Sequence, residues 1–259
     1  MDSGKLAKLK AYIKSLNKVA VCFSGGVDSY LLLHMCTEIL GSDNAVGIFC
    51  NSGFVISQDK NDVLASLKKY NVSTIDVNLY TKNIVANDKM RCAHCKGTML
   101  KAIISEAKAK GFENVADGAN YSDLLDYRPG LKVANDLNIL HPYIQCKVNK
   151  IDISEFADYY KLKVAKKLAN ACYATRIRSG VEITPELIDK VKECETRVQK
   201  FGFKGFRVRV NSDTLRLELN GSDLNSIKAG TLQKLHETLR DEFKYVTLDL
   251  GGYKLSGSS

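Results

Sequence analysis

The chain has 259 residues, of which 45% are hydrophobic and 26% charged, the balance of a folded globular protein rather than a disordered one. Its 38 Lys and Arg against 29 Asp and Glu give a net charge of +9, which favours anionic ligands and supports RNA only weakly. No apolar run reaches the ~20 residues that cross a bilayer and no secretory signal is recognisable, so we expect a cytoplasmic protein without a membrane partner.

The first two-thirds of the chain alternate strand and helix patterns. In chain order, the patterns predict helix 5–16, strand 18–23, helix 30–40, strand 45–50, helix 58–70, strand 72–77, helix 92–110 and strand 113–118. Strands separated by helices need crossover connections, so this part of the chain predicts an α/β fold with a parallel, doubly wound sheet.

The pattern changes after Cys172. It predicts a helix over 185–201 with Thr184 as its N-cap, a hairpin of strands 206–210 and 214–219, a helix over 226–243 and a strand over 245–250. This is the content of a small α+β domain. We therefore predict two domains, 1–180 and 181–259, the second serving substrate binding and oligomerisation in a homo-oligomer.

A hexapeptide between the first strand and its helix carries the clearest chemical signal. Ser24, Gly25, Gly26, Val27, Asp28 and Ser29 form the sequence SGGVDS. The glycines permit close approach of a ligand, and the N–H groups at a helix start attract phosphate. Asp28 would repel a bare phosphate, but it makes sense where Mg²⁺ bridges the two. A ligand-free tight turn explains the full hexapeptide poorly.

Of the eight cysteines, seven fall into two groups, and Cys146 is assigned to neither. Four lie in apolar strand or helix patterns and are predicted to be small buried hydrophobes, namely Cys22, Cys36, Cys50 and Cys194. Cys92 and Cys95 instead form a CxxC at a helix start, where the dipole, Arg91 and Lys96 lower thiol pKa values.

A third cysteine, Cys172, stands in ACYATR at 171–176 between basic residues. Together with Cys92 and Cys95 it supplies three thiolates, enough to hold three irons of a [4Fe–4S] cluster. Zinc bound by three thiolates and His141 is a second interpretation. A reduced CxxC without a metal is the third, and spacing alone leaves all three open.

Resemblance to a known family narrows the choice among these three interpretations of the cysteines. SGGVDS resembles the pyrophosphate loop of the PP-loop ATP pyrophosphatases, which cleave ATP to AMP and pyrophosphate. The chain as a whole resembles the LarE family of ATP-dependent sulfur transferases within that superfamily, which serves nickel-pincer nucleotide biosynthesis. The matching segments are RCAHCK at 91–96, GANYSDLLDYRPG at 118–130, ACYATR at 171–176, FRVRV at 206–210 and VTLDLGGY at 246–253.

The resemblance implies a two-step reaction. ATP with Mg²⁺ adenylylates a carboxylate of a pyridinium biscarboxylic acid mononucleotide, and sulfur then displaces AMP to give a thiocarboxylate. Cys172 occupies the position of the family's sacrificial sulfur donor. Because the chain has all three cysteines, the resemblance favours the form with a [4Fe–4S] cluster on Cys92, Cys95 and Cys172; the sulfur source stays open.

The resemblance also assigns residue roles. ATP contacts fall to Ser24, Gly25, Gly26, Asp28, Ser29 and Asn120. Substrate contacts fall to Arg128, Thr175, Arg207 and Arg209, and catalysis to Cys172 and Arg176. The structural alternatives are an ion pair of Arg128 with Asp126 or Asp123, and a solvated strand face on which Arg207 and Arg209 pair with Glu218.

Two departures from the family pattern stand near these sites. Ala119 replaces the usual Thr, and Asn170–Ala171 replaces a proline-containing approach to Cys172.

Two other functions fit parts of the sequence. A tRNA-thiolating PP-loop enzyme also uses three cysteines and a cluster, and the positive charge favours it slightly, but the chain lacks an additional CxxC zinc module. A non-catalytic iron or zinc carrier with a vestigial nucleotide site is the third interpretation, and the intact 24–29 motif argues against it.

Overall fold

The structure is a computed structural model that describes residues 1–56, 60–61, 63, 65, 69–125, 129–162 and 171–252. It contains two compact units. The first comprises Met1–Leu79 and Cys92–Asn170, and the second comprises Tyr80–Arg91 and Ala171–Ser259. A short internal segment thus belongs with the C-terminal part of the chain. The functional division between residues 180 and 181 stays a prediction.

The first unit is built on a four-stranded parallel sheet. Its strands are β1 (Val19–Cys22), β2 (Ala45–Asn51), β3 (Val72–Asp76) and β4 (Val115–Ala116), in the order β3-β2-β1-β4. All three neighbouring pairs are parallel, as helical crossovers require. The chain moves outward from β1 to β3 and then returns to the other side of β1, which confirms the doubly wound α/β prediction.

Helices cover this sheet. They are α1 (Ser3–Ser15), α2 (Val27–Leu40), α4 (Arg91–Ala109), α5 (Pro129–Asp136), α6 (Pro142–Gln145) and α7 (Lys150–Tyr159), while α3 (Lys82–Val85) belongs to the second unit. The core is formed where α1 packs on α2 and α2 packs on β1 and β2, with Leu9, Ile13, Leu32 and Val21 fully buried. Burial of such side chains contributes ~1.5–3 kcal/mol each.

Several predicted boundaries shift in this unit. Helix α2 begins at Val27 rather than Tyr30, because Gly26 already takes the extended N-cap conformation. The fourth strand shortens to two residues, and Leu140 continues its edge through a parallel bridge to Ala116. The helix predicted over 58–70 lies largely outside the described residues.

Helix α7 was not predicted, although its sequence carries a recognisable start signal. The Asn149 side chain accepts the backbone N–H groups of Ile151 and Asp152, and Asp152 accepts the N–H of Asn149 in return. This reciprocal capping box satisfies donors that the first helical turn leaves over.

The second unit joins a helix to a three-stranded sheet. Helix α8 (Pro185–Gln199) begins where predicted, with the Thr184 hydroxyl accepting the N–H of Leu187. Strands β5 (Phe206–Asn211) and β6 (Thr214–Leu219) form the predicted antiparallel hairpin. Strand β7 (Tyr245–Leu248) adds to β6 in parallel.

The helix predicted over 226–243 is present but shorter, as α10 (Ala229–Leu239). A separate short helix, α9 (Gly221–Ser226), precedes it and was not predicted. Ile227 and Lys228 take extended conformations between them, so the hydrogen-bonded ladder stops and restarts. In the part of the chain that the structure describes, no helix is long and apolar enough to cross a membrane.

Candidate functional site

The 24–29 segment forms a tight loop at the carboxyl end of β1. The Ser29 hydroxyl organises it: it accepts the N–H of Ser24 at 3.1 Å, donates to the Gly26 carbonyl at 3.1 Å and lies 3.1 Å from the Ser24 hydroxyl. Gly25 has a φ of 77°, a conformation that favours glycine. Gly26 offers no side chain to cap α2, so the helix start presents N–H groups suited to an anion.

Asp28 lies in the first turn of α2 and is held from three sides. Its carboxylate forms an ion pair with Lys150 and accepts a weak hydrogen bond from the Asn120 amide at 3.4 Å. Its backbone carbonyl accepts the Tyr143 hydroxyl at 2.9 Å. The structure thus brings together the predicted Asp28 and Asn120. Lys150 and Tyr143 were missed, because neither stands in a motif.

The loop after β4 packs closely on the start of α2. A Cβ atom added to Gly118 would lie 3.0 Å from the backbone nitrogen of Ser29 and 3.1 Å from two atoms of Asp28. Only a glycine permits this approach without displacement of the phosphate loop. Gly118 stands in the segment 118–130 that carries the family resemblance, while Arg128 lies outside the described residues.

A buried charge network lies beside this loop. Asp117 directly follows β4; one carboxylate oxygen lies 3.0 Å from the Lys96 ammonium and the other 2.6 Å from Nδ1 of His141. Burial opposes ionisation, but the His141 hydrogen bond and the Lys96 charge outweigh it and lower the pKa of Asp117 to about 2. No role was predicted for Asp117, and Lys96 was assigned only to the cysteine pair.

His141 was a candidate zinc ligand. Both of its ring nitrogens lie within hydrogen-bond distance of side-chain oxygens, Nδ1 beside Asp117 and Nε2 at 3.1 Å from Asn135. Across the described ranges, no group of three or more His, Cys, Asp or Glu side chains is arranged to hold a metal ion.

The cysteines separate as the sequence predicts. Cys36, Cys50 and Cys194 are buried and Cys22 is partly buried. Burial raises the pKa to about 12 for Cys22 and Cys36, and to about 11 for Cys50 and Cys194, so these thiols stay protonated. The other group is more accessible: Cys92 is exposed on the first turn of α4, while Cys95 and Cys172 are partly exposed.

Cys172 begins a short, tightly bonded segment in the second unit, which we call the Cys172 turn (residues 171–176). Tyr173–Arg176 form a single 3-10 turn with Cys172 as its N-cap. The Cys172 carbonyl accepts both the N–H of Thr175 at 3.0 Å and its hydroxyl at 2.7 Å. Tyr173 and Ala174 are buried, so the backbone is anchored directly after the residue that carries the thiol.

Three guanidinium groups donate to carbonyl oxygens of this turn. Arg176 donates to Ala171 at 3.2 Å, Arg209 to Thr175 at 2.7 Å and Arg91 to Ala174 at 3.0 Å. They come from three separate elements: the turn itself, strand β5 and the start of α4. Hydrogen bonds with a charged donor are stronger than neutral ones, so the turn is held firmly.

Two of these arginines also form ion pairs. Nε of Arg176 lies 2.6 Å from Glu195 on α8, and Nε of Arg209 lies 2.9 Å from Glu218 on β6. The Arg209–Glu218 pair is the one that the structural alternative proposed, but it is largely buried rather than solvated. Arg207 shares its face of β5 and is only 2% exposed. The predicted Cys172, Thr175, Arg176 and Arg209 are therefore neighbours.

Comparisons with known proteins agree with this geometry. A family model described as NAD synthase matches residues 5–110, which include the phosphate loop. An uncharacterized protein of Synechocystis sp. is 30% identical over 98% of this chain and 96% of its own length. The pyridinium-3,5-bisthiocarboxylic acid mononucleotide synthase of Lactiplantibacillus plantarum is 29% identical over 96% of this chain and 92% of its own.

The chain belongs to the LarE family. An uncharacterized protein of Methanocaldococcus jannaschii, 29% identical over 96% of this chain and 97% of its own length, is another relative. Membership of the LarE family and of the PP-loop superfamily makes this protein an enzyme that uses ATP and Mg²⁺.

The LarE family suggests two metal groups, Mg²⁺ and an iron–sulfur cluster, and the described residues fit Mg²⁺ better. Mg²⁺ prefers oxygen ligands, and Asp28 offers a carboxylate at the start of α2 whose side chain is 25% exposed. Thiolates are the right ligands for an iron–sulfur cluster, and Cys92 and Cys95 share one helical turn. The described residues do not gather a third ligand with that pair, so the structure does not support the cluster.

Proposed function

We propose that this protein is an ATP-dependent sulfur transferase. Its substrate would be a pyridinium biscarboxylic acid mononucleotide, one carboxylate of which becomes a thiocarboxylate in nickel-pincer nucleotide biosynthesis. The observation that carries the proposal is the Cys172 turn, where a partly exposed thiol stands on a backbone fixed by Arg91, Arg176 and Arg209. The printed name of the Lactiplantibacillus relative supports the substrate class.

In the first step, the carboxylate oxygen attacks the α-phosphorus of ATP and pyrophosphate leaves. The uncapped start of α2 and the Ser24 hydroxyl would bind the pyrophosphate, since each offers a hydrogen-bond donor to an anion. The Ser29 hydroxyl, which donates to the Gly26 carbonyl, would contribute by holding the loop in shape. Asp28 would hold Mg²⁺, which supplies positive charge to the phosphate oxygens as they separate. Lys150, the ion-pair partner of Asp28, would supply a second cation to the nucleotide.

In the second step, the Cys172 thiolate attacks the adenylylated carboxyl carbon and AMP leaves, which forms a thioester. Removal of the Cα proton of Cys172 then drives cleavage of its Cβ–S bond. The sulfur departs as the thiocarboxylate, and residue 172 remains as dehydroalanine. Each chain reacts once by this route, and the balance needs no oxidant or reductant.

Fixed geometry around Cys172 suits this chemistry. A nucleophile carried on an anchored turn loses little further freedom when it meets the carboxyl carbon. The Cys172 turn carries Thr175 and Arg176, and strand β5 carries Arg207 and Arg209. We assign substrate phosphate and carboxylate binding to Arg207 and Arg209. Arg128 keeps the same proposed role.

A [4Fe–4S] cluster on Cys92, Cys95 and Cys172 is the proposed alternative source of sulfur. When bound, it would hold an external hydrosulfide on the iron that no cysteine ligates, and the enzyme would turn over by consuming one such hydrosulfide per thiocarboxylate. Iron and sulfide analysis of protein purified without oxygen tests it directly. Protein with no iron, in which dehydroalanine appears at 172 after reaction, would leave Cys172 as the donor.

The deciding experiment offers two acceptors to one enzyme. Protein purified without oxygen is incubated with ATP and Mg²⁺ and with either the pyridinium mononucleotide or tRNA, and both acceptors are analysed by mass spectrometry. Replacement of one carboxylate oxygen by sulfur, with one AMP formed per sulfur, supports the proposal. Thiolated tRNA in its place would make the protein a tRNA-modifying enzyme.

Two controls complete the experiment. Cys172→Ala should yield no thiocarboxylate, whereas Cys36→Ala should behave as the unmodified chain, since the Cys36 thiol is buried and protonated.

We also propose that the protein is cytoplasmic and forms a homo-oligomer. Light scattering of the purified protein tests the oligomeric state.

A further inference from the structure

Asn87 is a fully buried residue whose side-chain amide forms hydrogen bonds close to the Cys172 turn. Its side chain is 0% exposed and its backbone has a φ of 53°, in the left-handed region that Asn tolerates. A buried amide without hydrogen-bond partners would lower the stability of the fold by ~1–3 kcal/mol. The partners of the Asn87 amide therefore indicate its structural role.

The donors of that amide hold the loop that follows the Cys172 turn. Nδ2 donates to the carbonyls of Arg178 and Val181, both at 2.8 Å. The backbone carbonyl of Asn87 accepts the N–H of Gly180 and the Ser179 hydroxyl, both at 3.0 Å. One residue thus binds four positions of the loop 178–181.

The acceptor of the same amide points to Arg91. Oδ1 of Asn87 accepts a hydrogen bond from the Arg91 guanidinium, and the same Nη1 atom donates to the Ala174 carbonyl of the Cys172 turn. A continuous chain of hydrogen bonds therefore runs from the loop 178–181 through Asn87 and Arg91 to the middle of the turn. All of these residues belong to the second unit.

We propose that Asn87 and Arg91 are positioning residues for the sulfur-donating thiol. Arg91 fixes the Cys172 turn, and Asn87 orients Arg91 by accepting from it while anchored to the loop beyond the turn. Neither residue needs to touch a substrate. The inference rests on the proposed role of Cys172 as sulfur donor, and it gives the buried Asn87 in the short segment 80–91 a structural role.

The first test measures access to the thiol without any substrate. Arg91→Gln and Asn87→Ala are treated briefly with iodoacetamide, and labelling of each cysteine is followed by mass spectrometry. Loss of a hydrogen bond from a charged donor should raise the rate at Cys172 about tenfold, because the turn opens more often. Cys194, fully buried on α8 in the same unit, should keep its rate.

Matched variants separate positioning from general stability. Arg197→Gln removes another arginine of the second unit that also donates to a main-chain carbonyl, that of Thr238, and should leave the Cys172 rate unchanged. Arg91→Lys keeps a cationic donor and should fall between the unmodified chain and Arg91→Gln. Equal acceleration at Cys172 and Cys194 would overturn the proposal, because it would mean general unfolding.

The second test measures the reaction. Arg91→Gln should lower thiocarboxylate formation about tenfold and leave pyrophosphate formation unchanged, since only the sulfur step depends on the turn. An unchanged rate of sulfur transfer in a folded variant would overturn the proposal. If the unmodified chain transfers no sulfur while Arg91→Gln still accelerates labelling of Cys172 alone, the proposed function fails and the positioning of the turn stands.

Discussion

The phosphate loop and the Cys172 turn are both short connections before a helical turn, but their polar groups are used in opposite ways. The phosphate loop places glycines at 25 and 26 and leaves the start of α2 without a side-chain cap, so N–H donors face outward. The Cys172 turn has carbonyl oxygens occupied by three guanidinium groups.

The difference follows from what each segment has to bind or carry. A loop that binds an anion must keep donors available, and it gains its order when the anion arrives. A segment that carries a nucleophile must already be ordered, because freedom at the reacting atom reduces the rate. Variants that affect one region and spare the other test this difference.

The largest expected effects come from the two reacting ends. Asp28→Ala should lower AMP formation at least about a thousandfold, since the proposed Mg²⁺ ligand is lost. Cys172→Ala should abolish sulfur transfer and still release pyrophosphate. Pyrophosphate release and thiocarboxylate formation are measured in one assay by chromatography, and a Cys172→Ala variant that releases no pyrophosphate would merge the two regions into one functional step.

The next largest effect concerns the buried ion pair behind the turn. The Arg176 side chain is 3% exposed and Glu195 13%, so Arg176→Leu would leave a nearly buried carboxylate without its main partner. We expect the free energy of unfolding to fall by about 3 kcal/mol. Urea unfolding followed by circular dichroism measures it, since the chain contains no Trp.

A surface pair provides the control for that variant. Lys192 and Asp189 on α8 are 32% and 72% exposed, and Lys192→Ala should change the free energy of unfolding by less than about 0.5 kcal/mol. Equal losses in the two variants would contradict the view that burial gives the Arg176 pair its importance.

Beside the phosphate loop, stability should depend on pH through Asp117. Its pKa is lowered from 3.8 to about 2, so its contribution of about 2 kcal/mol is complete above pH 4 and is lost as the pH falls towards 2. Asp117→Asn should therefore lose stability at pH 6 and show a shallower decline between pH 4 and 2. Asp189→Asn, on an exposed carboxylate, should keep the decline of the unmodified chain.

The smallest predicted effect probes the close approach at Gly118. A methyl group there meets backbone of the phosphate loop at 3.0 Å, so Gly118→Ala should cost about 1–2 kcal/mol and weaken ATP binding. Gly230→Ala, in α10 with open space around it, should stabilise the chain by about 0.5 kcal/mol. Thermal unfolding and ATP titration together test both; a neutral Gly118→Ala would show that the loop yields easily.

Local sequence predicted what local interactions determine. Apolar runs located β1, β2 and β3, and Thr184 with Pro185 located the start of α8. The 24–29 motif located the phosphate loop, because its chemistry is contained in six consecutive residues. The start of α7 was also within reach, since Asn149 and Asp152 have the spacing of a capping box.

Contacts between distant residues stayed hidden. Asp117 meets Lys96 and His141 across more than twenty positions, and Asn87 meets Arg178 across ninety-one. Nothing in a run of neighbouring letters marks these pairs, since their partners are chosen by topology. The break between α9 and α10 was missed because Ile227 and Lys228 are acceptable helix residues, and no local signal marks their extended conformation.

The discontinuity of the second unit has a consequence for synthesis. Residues 80–91 leave the ribosome about eighty residues before Ala171, so the first unit's segments can begin to assemble while Asn87 still waits for its loop. Until then its amide must remain hydrated, and the connection 80–91 must stay out of the growing sheet. Chains interrupted before residue 171 should therefore expose this segment to proteases, and its protection would mark the moment at which the second unit closes.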